Sequence, residues 1–162
     1  MFEAFIIFGA KYLIVLSGII FLAYLLQQSG DKQKQIILFA IISLPTIYVA
    51  AKLASLVYFD PRPFVVGNFA PLIPHAADNG FPSDHTLLAG ALSAVIFFFH
   101  KKIGLILLVV ALVVGGARVL AGVHHAVDVV GSIGIAFFVA YLLHKSVLPI
   151  MLKSKLYTHY LR

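Results

Sequence analysis

The stretch Arg-Val-Leu-Ala-Gly-Val-His-His-Ala-Val-Asp, residues 118–128, lies between two long apolar runs. Charged side chains are costly inside a lipid bilayer, so such a cluster indicates a boundary between membrane and water, and it also indicates a functional site. The two flanking runs are then membrane helices that meet at this boundary. The other segments of the chain must pack around the point where these two helices meet.

The composition of the whole chain is that of a membrane protein. Hydrophobic residues make up 62% of the 162 residues and charged residues only 11%, whereas soluble domains are about half apolar and a quarter charged. A membrane span needs about 20 apolar residues, which leaves room for about five or six spans and no separate soluble domain. The sequence predicts an all-α, polytopic membrane bundle of five or six helices that forms a single domain over residues 1–162.

Two further features of the composition exclude other classes of protein. The chain has no cysteine, which excludes a disulfide framework and a thiolate metal site. Its net charge is +6, a value that in a soluble protein would suggest nucleic acid. Basic residues that flank membrane spans explain this charge through their role in orientation. We therefore expect the bilayer as a partner and no nucleic acid.

Five apolar segments are predicted to be membrane spans. Between the second and the third, residues 60–82 hold five of the chain's seven prolines, which predicts a loop of fixed bends. The third segment is short for a span. The five predicted segments are residues 4–26, 36–59, 86–99, 103–120 and 127–148.

The basic residues predict an orientation in the plasma membrane. With five spans, one side receives Lys32, Lys34, Lys101, Lys102, Lys145, Lys153, Lys155 and Arg162. Loops rich in Lys and Arg face the cytoplasm, so the C-terminus is expected inside and the N-terminus outside. The remaining polar residues then gather at the outer face: Asp60, Arg62, His75, Asp78, Asp84, His85, Arg118, His124, His125 and Asp128.

Two arginines, Arg62 and Arg118, are predicted at that outer face, although a guanidinium group costs free energy at a bilayer boundary. Each guanidinium group presents a planar fork of N–H donors that matches the oxygens of a phosphate. The pair therefore indicates a phosphate site. Anchoring of lipid headgroups at the interface is the alternative explanation.

His124 and Asp128 are four residues apart, which on a helix places both on one face. The carboxylate can then accept the Nδ1 proton of the imidazole, which fixes the tautomer and leaves Nε2 able to attack. This is how a catalytic triad orients its histidine, here with the histidine itself as the nucleophile. Such a pair also stabilises ordinary helices, and the two arginines favour the catalytic interpretation.

Ser83 precedes an apolar helix, so it is a candidate N-cap. The free amides and the positive dipole end of that helix would face the outer loop. Capping alone would account for Ser83. It gives no reason for His85, whose imidazolium could protonate a departing oxygen.

A metal site is the competing use of the histidines at the outer face, because histidine and carboxylate ligands suit zinc or iron. Neighbouring arginines would repel a divalent cation and attract an oxyanion. We therefore expect neither a metal nor a cofactor. The candidate ligands are His75, His85, His124, His125 and Asp128.

Together these residues resemble the three signatures of the type 2 phosphatidic acid phosphatase superfamily. The first signature resembles Arg62-Pro63 with an upstream lysine, and the second resembles Pro-Ser-Asp-His at residues 82–85. The third resembles Arg118 followed by His124 and Asp128. Within the superfamily, the second signature is similar to that of bacterial undecaprenyl-diphosphatases of the bacitracin-resistance type.

The resemblance implies a helical core like that of the vanadium haloperoxidases, and hydrolysis of a polyprenyl diphosphate lipid without a metal. His124 would attack phosphorus to form a phosphohistidine, while Asp128 orients it and His85 protonates the leaving group. The phosphoryl oxygens would be bound by Arg62, Arg118 and Ser83. The alternatives are a phosphatase of another lipid phosphate, such as phosphatidylglycerol phosphate or phosphatidic acid, and a noncatalytic binder or transporter of lipid headgroups.

Three positions depart from the family pattern. The lysine usually lies seven residues before the arginine of the first signature, where this chain has Ser55, and Lys52 lies one turn earlier. A helical side chain tilts toward its helix N-terminus, so Lys52 would have to bend back to bind phosphate. Asp84 replaces a glycine, and its carboxylate has to point away from the phosphate or pair with a cation. Ala117 replaces a serine and removes one hydroxyl.

Overall fold

Long apolar runs become helices in a bilayer because a helix satisfies its backbone N–H and C=O groups within one segment. The computed structural model describes residues 1–153, which are helical almost throughout. A π-helical turn, Leu143–Val147, joins the last two helices. The helices are α1 (Phe2–Lys11), α2 (Leu13–Leu26), α3 (Gly30–Val57), α4 (Pro63–Val66), α5 (Asp84–Phe97), α6 (Lys101–Leu120), α7 (Ala126–Leu142) and α8 (Leu148–Leu152).

Three segments of the described chain are long and apolar enough to cross a bilayer: Gly30–Val57, Lys101–Leu120 and Ala126–Leu152. α1 and α2 together make a fourth, and α5 is a shorter apolar helix of 14 residues. Each of the five predicted apolar segments is therefore helical, and the all-α membrane bundle is confirmed. The orientation in the membrane stays a prediction, and two of the cations counted for it, Lys155 and Arg162, lie outside the described residues.

The predicted span at residues 4–26 consists of two helices. The segment breaks at Tyr12 between α1 and α2, whose axes differ in direction by 48°. Neither proline nor glycine stands at the break, so local sequence gives no sign of it. The carbonyl of Ala10, next to the break, accepts a hydrogen bond from Arg118 on α6. A contact with a distant part of the chain therefore accompanies the change in direction.

The second span begins earlier than predicted. Residues 30–35, which lie between the first and second predicted spans, form the first turns of α3. The side-chain amides of Gln28 and Gln33 donate to the carbonyls of Tyr24 and Leu25 at the end of α2. Polar residues here satisfy the last carbonyls of one helix and start the next.

α5 is the central helix of the bundle, and α2, α3, α6 and α7 pack around it. Ten of its 14 residues are buried. Because its neighbours shield it from lipid, α5 does not need the length of a full span. Its N-terminus, with Ser83, Asp84 and His85, consequently lies in the middle of one end of the bundle.

Small residues bring α5 and α6 into close contact. A Cβ atom on Gly104 would lie 2.4 Å from Cα of Phe97, and Ser93 Oγ donates a 2.8 Å hydrogen bond to the carbonyl of Gly104. Helices in lipid associate through such close van der Waals contact, since lipid removes the hydrophobic driving force between them.

A smaller apolar cluster lies at the same end of the bundle as the N-terminus of α5. It joins α1 to the end of α6 and to two loop segments. Its buried members are Ile6, Ala10, Ile73, Ala117, Ala121 and Val123.

Gly104→Ala is expected to lower the free energy of unfolding by about 1–3 kcal/mol, because the new methyl group meets backbone that cannot rotate away. The thermal unfolding midpoint in detergent measures this. Gly116→Ala is the matched control, since nothing lies within 4 Å of a Cβ atom at that position of the same helix. Equal midpoints for the two variants would contradict the close contact between α5 and α6.

Candidate active site

Five of the predicted site residues come together at one end of the bundle and are buried, with exposed fractions between 0 and 5%. Burying charged groups costs free energy unless they are paired and hydrogen-bonded. A group of buried charges in a membrane bundle is therefore strong evidence of a functional site. The five residues are Arg62, Ser83, Arg118, His124 and Asp128.

Gly122 turns the chain at the end of α6. Its φ of +78° is a conformation that L side chains rarely adopt. The N–H of Val123 donates to the carbonyl of Arg118 at 3.2 Å, and that of Gly122 to Val119 at 2.9 Å, which together form a Schellman motif. The turn sends the chain back over the last turn of α6, so His124 lies beside Arg118.

His124 and Asp128 are in contact, as predicted, but not on one face of a helix. His124 precedes α7, whose N-cap is His125. Asp128, in the first turn of α7, reaches back, and its Oδ2 lies 3.1 Å from His124 Nδ1. The same oxygen accepts the backbone N–H of His125 at 2.9 Å, as an acidic side chain in a capping box does. Helix capping thus fixes the carboxylate that holds the imidazole.

Both arginines point at the other nitrogen of His124. Its Nε2 lies 3.3 Å from Nη1 of Arg62 and 3.4 Å from Nη2 of Arg118. A guanidinium group only donates, so Nε2 accepts and Nδ1 carries the proton that Asp128 accepts. The hydrogen bonds therefore assign His124 as neutral, with a lone pair on Nε2.

The surroundings of His124 also lower its pKa below the ordinary value of 6.5. Burial contributes most, because it disfavours the charged form. The hydrogen bond to Asp128 raises the pKa, and the positive charges of Arg118 and Arg62 lower it. The net direction keeps the imidazole neutral at pH 7.

Arg62 is held by the proline-rich loop and by the turn before α7. Its Nε donates to Asp78 Oδ1 at 2.7 Å, and its Nη1 donates to the carbonyl of Val123 at 2.8 Å. Nη2 donates to the carbonyl of Asn79 at 3.3 Å. Sequence reasoning placed Asp78 at the outer face but did not predict its pairing with Arg62.

Arg118 is held differently. Its Nη1 donates to the carbonyl of Ala10 at 3.2 Å, and the buried Nε has no hydrogen-bond partner among residues 1–153. An unpaired N–H donor in a buried site is costly. The Nε–H group of Arg118 is therefore a donor that an incoming oxyanion can use.

Ser83 stands at the N-cap position of α5, but its side chain makes no capping hydrogen bond. Its Oγ accepts a 3.1 Å hydrogen bond from Thr86 Oγ1. The capping explanation of Ser83 is therefore wrong, and its hydroxyl proton can be donated elsewhere. Ser132 Oγ joins α7 to α5, because it lies 2.6 Å from the carbonyl of Asp128 and 3.0 Å from that of Ser83.

His85 lies in the first turn of α5 and is half-buried. The charges of Arg118 and His124 act on its ring, so it faces the same site. In the described part of the chain its ring has no hydrogen bond. Nothing in that region therefore restricts which nitrogen carries its proton.

The carboxylate of Asp84 pairs with a cation, which is one of the two arrangements expected for it. Its Oδ1 lies 3.5 Å from Lys52 Nζ, and the two side chains are 66% and 49% exposed. Lys52 also lies over the ring of Tyr48, 5.2 Å from its centroid. Exposed ion pairs contribute only about 0–1 kcal/mol, so Lys52 can exchange this partner for another anion.

Asn79 is a site residue that sequence reasoning missed. Its Nδ2 donates to the carbonyls of Ser55 and Tyr58 at 3.0 Å each, which lie at the end of α3. Its Oδ1 accepts the N–H groups of Asp60 at 2.9 Å and Phe81 at 3.0 Å. The Asp-Asn-Gly turn signature at residues 78–80 was the available signal. One side chain thus ties the proline-rich loop to α3.

Two of the five candidate metal ligands, His125 and Asp128, belong to a group of possible ligands in residues 1–153, whereas His75, His85 and His124 do not. Three ligand atoms that lie within 4.8 Å of one another come from Asp60, His125 and Asp128. His125 Nδ1 lies 2.9 Å from Asp60 Oδ2, so hydrogen bonding accounts for this cluster. His75 lies outside this cluster, and its ring centroid is 5.9 Å from that of His124. Its pKa is lowered by partial burial and by the charge of Arg62.

Two apolar cavities flank the site. One, of about 540 Å³, is lined by His124, by Gly122 and by apolar residues that include Phe69 and Leu120. The other, of about 330 Å³, runs between α3 and α5 from Asp84 to Leu44. The polar cluster therefore borders apolar surface on two sides.

Two buried guanidinium groups that point at one imidazole nitrogen suit the binding of a phosphoryl group, and together with the helical membrane bundle they indicate a membrane phosphatase. The family model described as PAP2 superfamily matches residues 34–151. The chain belongs to that family, and it is a phosphatase of the PAP2 type.

Relatives and a solved structure agree with this family. The chain is 39% identical over 140 residues to undecaprenyl-diphosphatase BcrC of Bacillus subtilis strain 168, which covers 86% of this chain and 72% of that protein. It is 33% identical over 130 residues to bacitracin transport permease protein BcrC of Bacillus licheniformis, covering 80% of this chain and 64% of that one, which is less than two thirds of that relative. The crystal structure of Aquifex aeolicus LpxE has a TM-score of 0.59 at 25% identity, with 89% and 83% coverage.

Asn79→Asp is expected to lower the free energy of unfolding by about 1–2 kcal/mol, because a carboxylate cannot donate to the two carbonyls at the end of α3. We also expect phosphatase activity to fall, since Arg62 is bound to the same loop. Thermal unfolding in detergent and the rate of phosphate release measure the two effects. Asn68→Asp, the same change at an exposed loop position, is the control, and equal effects of both substitutions would refute the role given to Asn79.

Proposed function

We propose that this phosphatase hydrolyses undecaprenyl diphosphate to undecaprenyl phosphate and inorganic phosphate through a phosphohistidine intermediate. The observation that carries the proposal is the arrangement around His124, with Asp128 on Nδ1 and both arginines directed at Nε2. The substrate is supported by the similarity to undecaprenyl-diphosphatase BcrC and by Asp84 in the second signature.

The terminal phosphoryl group would occupy the space in front of His124 Nε2. Nη groups of Arg62 and Arg118 that now contact Nε2 would donate to its oxygens, and the unpaired Nε of Arg118 and the Ser83 hydroxyl would add two further donors. Positioned donors of this kind stabilise the charge that shifts onto the phosphoryl oxygens during in-line transfer. Their burial strengthens each contact.

In the first step, Nε2 of His124 forms a bond to phosphorus while the bond from phosphorus to the bridging oxygen breaks. The departing lipid phosphate takes a proton from His85, and the positive charge on His124 is stabilised by Asp128. In the second step, water attacks phosphorus and gives its proton to His85. The bond between phosphorus and Nε2 then breaks, and phosphate leaves.

The lipid chain would lie along one of the two apolar cavities, and Lys52 would be available to the second phosphate at the mouth of the cavity between α3 and α5. We assign no metal to the reaction, because the two arginines and the helix end supply the positive charge.

The outer face of the plasma membrane is the proposed side of the reaction. Its support is that α3 and α6 begin, with Lys32, Lys34, Lys101 and Lys102, at the end opposite the site.

Phosphate release by purified protein in detergent tests this function. Undecaprenyl diphosphate, phosphatidylglycerol phosphate and phosphatidic acid are compared side by side, and the diphosphate is expected to have the highest kcat/KM. His124→Ala is expected to abolish release. Labelled phosphate trapped on His85→Ala is expected to be stable to alkali, labile to acid and attached to His124.

Two inhibitors and the lipid itself separate the alternatives. A chelator is expected to leave the rate unchanged, and vanadate, which resembles five-coordinate phosphorus, is expected to inhibit. Undiminished release by His124→Ala would disprove the nucleophile assignment, and a loss of activity with chelator that metal restores would disprove the metal-free mechanism. A binder or transporter of lipid would retain or move the lipid and release no phosphate.

The pH dependence of kcat/KM follows from the lowered pKa of His124. Only the neutral imidazole can attack, so the acidic limb of the profile follows His124, and activity is lost as the pH falls through its pKa, at a pH below 6.5. The protonated His85 that the leaving group needs sets a separate alkaline limb. In Asp128→Asn the hydrogen bond that raises this pKa is lost, so the acidic limb is expected to move to still lower pH. The rate at neutral pH should fall by roughly 100-fold or more, since the tautomer is no longer fixed. An acidic limb above pH 7 in the wild type would contradict the neutral assignment.

A further inference from the structure

We propose that α1 positions Arg118 for phosphate, with Gly9 and Ala10 as the positioning residues. The inference rests on the proposed role of Arg118 as a phosphate ligand. α1 lies outside residues 34–151, the part of the chain that the family model matches, so nothing in the family signatures assigns it to the site.

The first observation is the hydrogen bond from Arg118 Nη1 to the carbonyl of Ala10, 3.2 Å long and buried. The last four carbonyls of a helix have no partner within that helix, and the helix C-terminus carries partial negative charge. Because α1 ends at Lys11, Ala10 supplies one of these carbonyls. The break before α2 thus directs the negative end of a helix at a buried guanidinium group.

The second observation is the close approach of α1 to α6 beside Arg118. A Cβ atom on Gly9 would lie 2.8 Å from Cβ of Ala117, the residue before Arg118. Ile6 and Ala10 pack in the same cluster as Val123, whose carbonyl accepts a hydrogen bond from Arg62. α1 therefore lies behind both arginines, and glycine at position 9 sets how near it comes.

The third observation is that α1 is attached on one side only. Phe2, Phe5 and Phe8 are spaced along its other face and are 72%, 70% and 57% exposed, which suits contact with lipid. The inner face consists of Ile6, Gly9 and Ala10. Since α1 is held mainly through this inner face, we expect the overlap of one added methyl group at position 9 with Ala117 to displace the helix.

These contacts determine which donors Arg118 offers to phosphate. The Ala10 carbonyl occupies Nη1, so Nη2 is directed at His124 and Nε is left unpaired. Phosphate recognition by a planar guanidinium group depends on its orientation. Displacing α1 would let the group rotate and would lose affinity for the phosphoryl oxygens without removing any residue that touches them.

The test compares Gly9→Ala with Gly18→Ala, the same change in α2, where nothing lies within 4 Å of a Cβ atom. Gly9→Ala is expected to raise KM for the lipid diphosphate and the Kd of inorganic vanadate by about tenfold, as for one misplaced charge-assisted hydrogen bond. Gly18→Ala is expected to change neither. In the double variant Gly9→Ala with Ala117→Gly, the opposing methyl group is removed, and both constants are expected to return toward those of the wild type.

Ile6→Ala gives an independent variant that loosens α1 without any steric overlap, and it is expected to weaken vanadate binding in the same direction. Unchanged vanadate affinity in folded Gly9→Ala or in Ile6→Ala would overturn the proposal, and so would a loss that the double variant does not restore. Vanadate binding needs no turnover, so it reports on Arg118 even if undecaprenyl diphosphate proves not to be the substrate. Failure of the proposed function would appear separately, in the wild-type comparison of lipid substrates.

Discussion

Two guanidinium groups converge on one imidazole nitrogen at the end of a membrane bundle, and the surrounding structure depends on this arrangement. Positive charges that are nearly inaccessible to water need partners, and two of them this close also repel each other. His124 can accept from both only because Asp128 holds its other nitrogen. Among residues 1–153, five of the six guanidinium nitrogens have an acceptor, and the unpaired Nε of Arg118 is where an oxyanion would gain most.

The architecture around the site supplies those acceptors. The proline-rich loop provides Asp78 and the carbonyl of Asn79 for Arg62, and Asn79 in turn ties the loop to the end of α3. The broken first helix provides the carbonyl of Ala10 for Arg118. α5 remains short and is buried along most of its length, so its N-terminus lies in the middle of that end of the bundle, beside these groups. The proline-rich loop, the break in the first helix and the short central helix thus all help to place acceptors around the two guanidinium groups.

Most of the polar cluster was predictable, because arginine, histidine and aspartate at the margins of apolar runs have few other uses in a membrane protein. The contact between His124 and Asp128 was predicted for a partly wrong reason, since helix capping and not a shared helix face brings them together. The side-chain bond of Ser83 was predicted wrongly, because Thr86, one turn away, donates to its oxygen. Asn79 escaped prediction since its partners are mostly backbone groups of distant residues.

The amino-acid sequence alone determines the membrane character, the all-α class and the identities of the charged residues, because hydropathy and side-chain chemistry are properties of each residue. The tertiary structure decided which acceptor each guanidinium group receives, where the first helix breaks, and which way Lys52 turns. The physical reason is that these acceptors are largely backbone carbonyls. Every residue carries one, so only the packing of α1 against α6 singles out the carbonyl of Ala10 as the partner of Arg118.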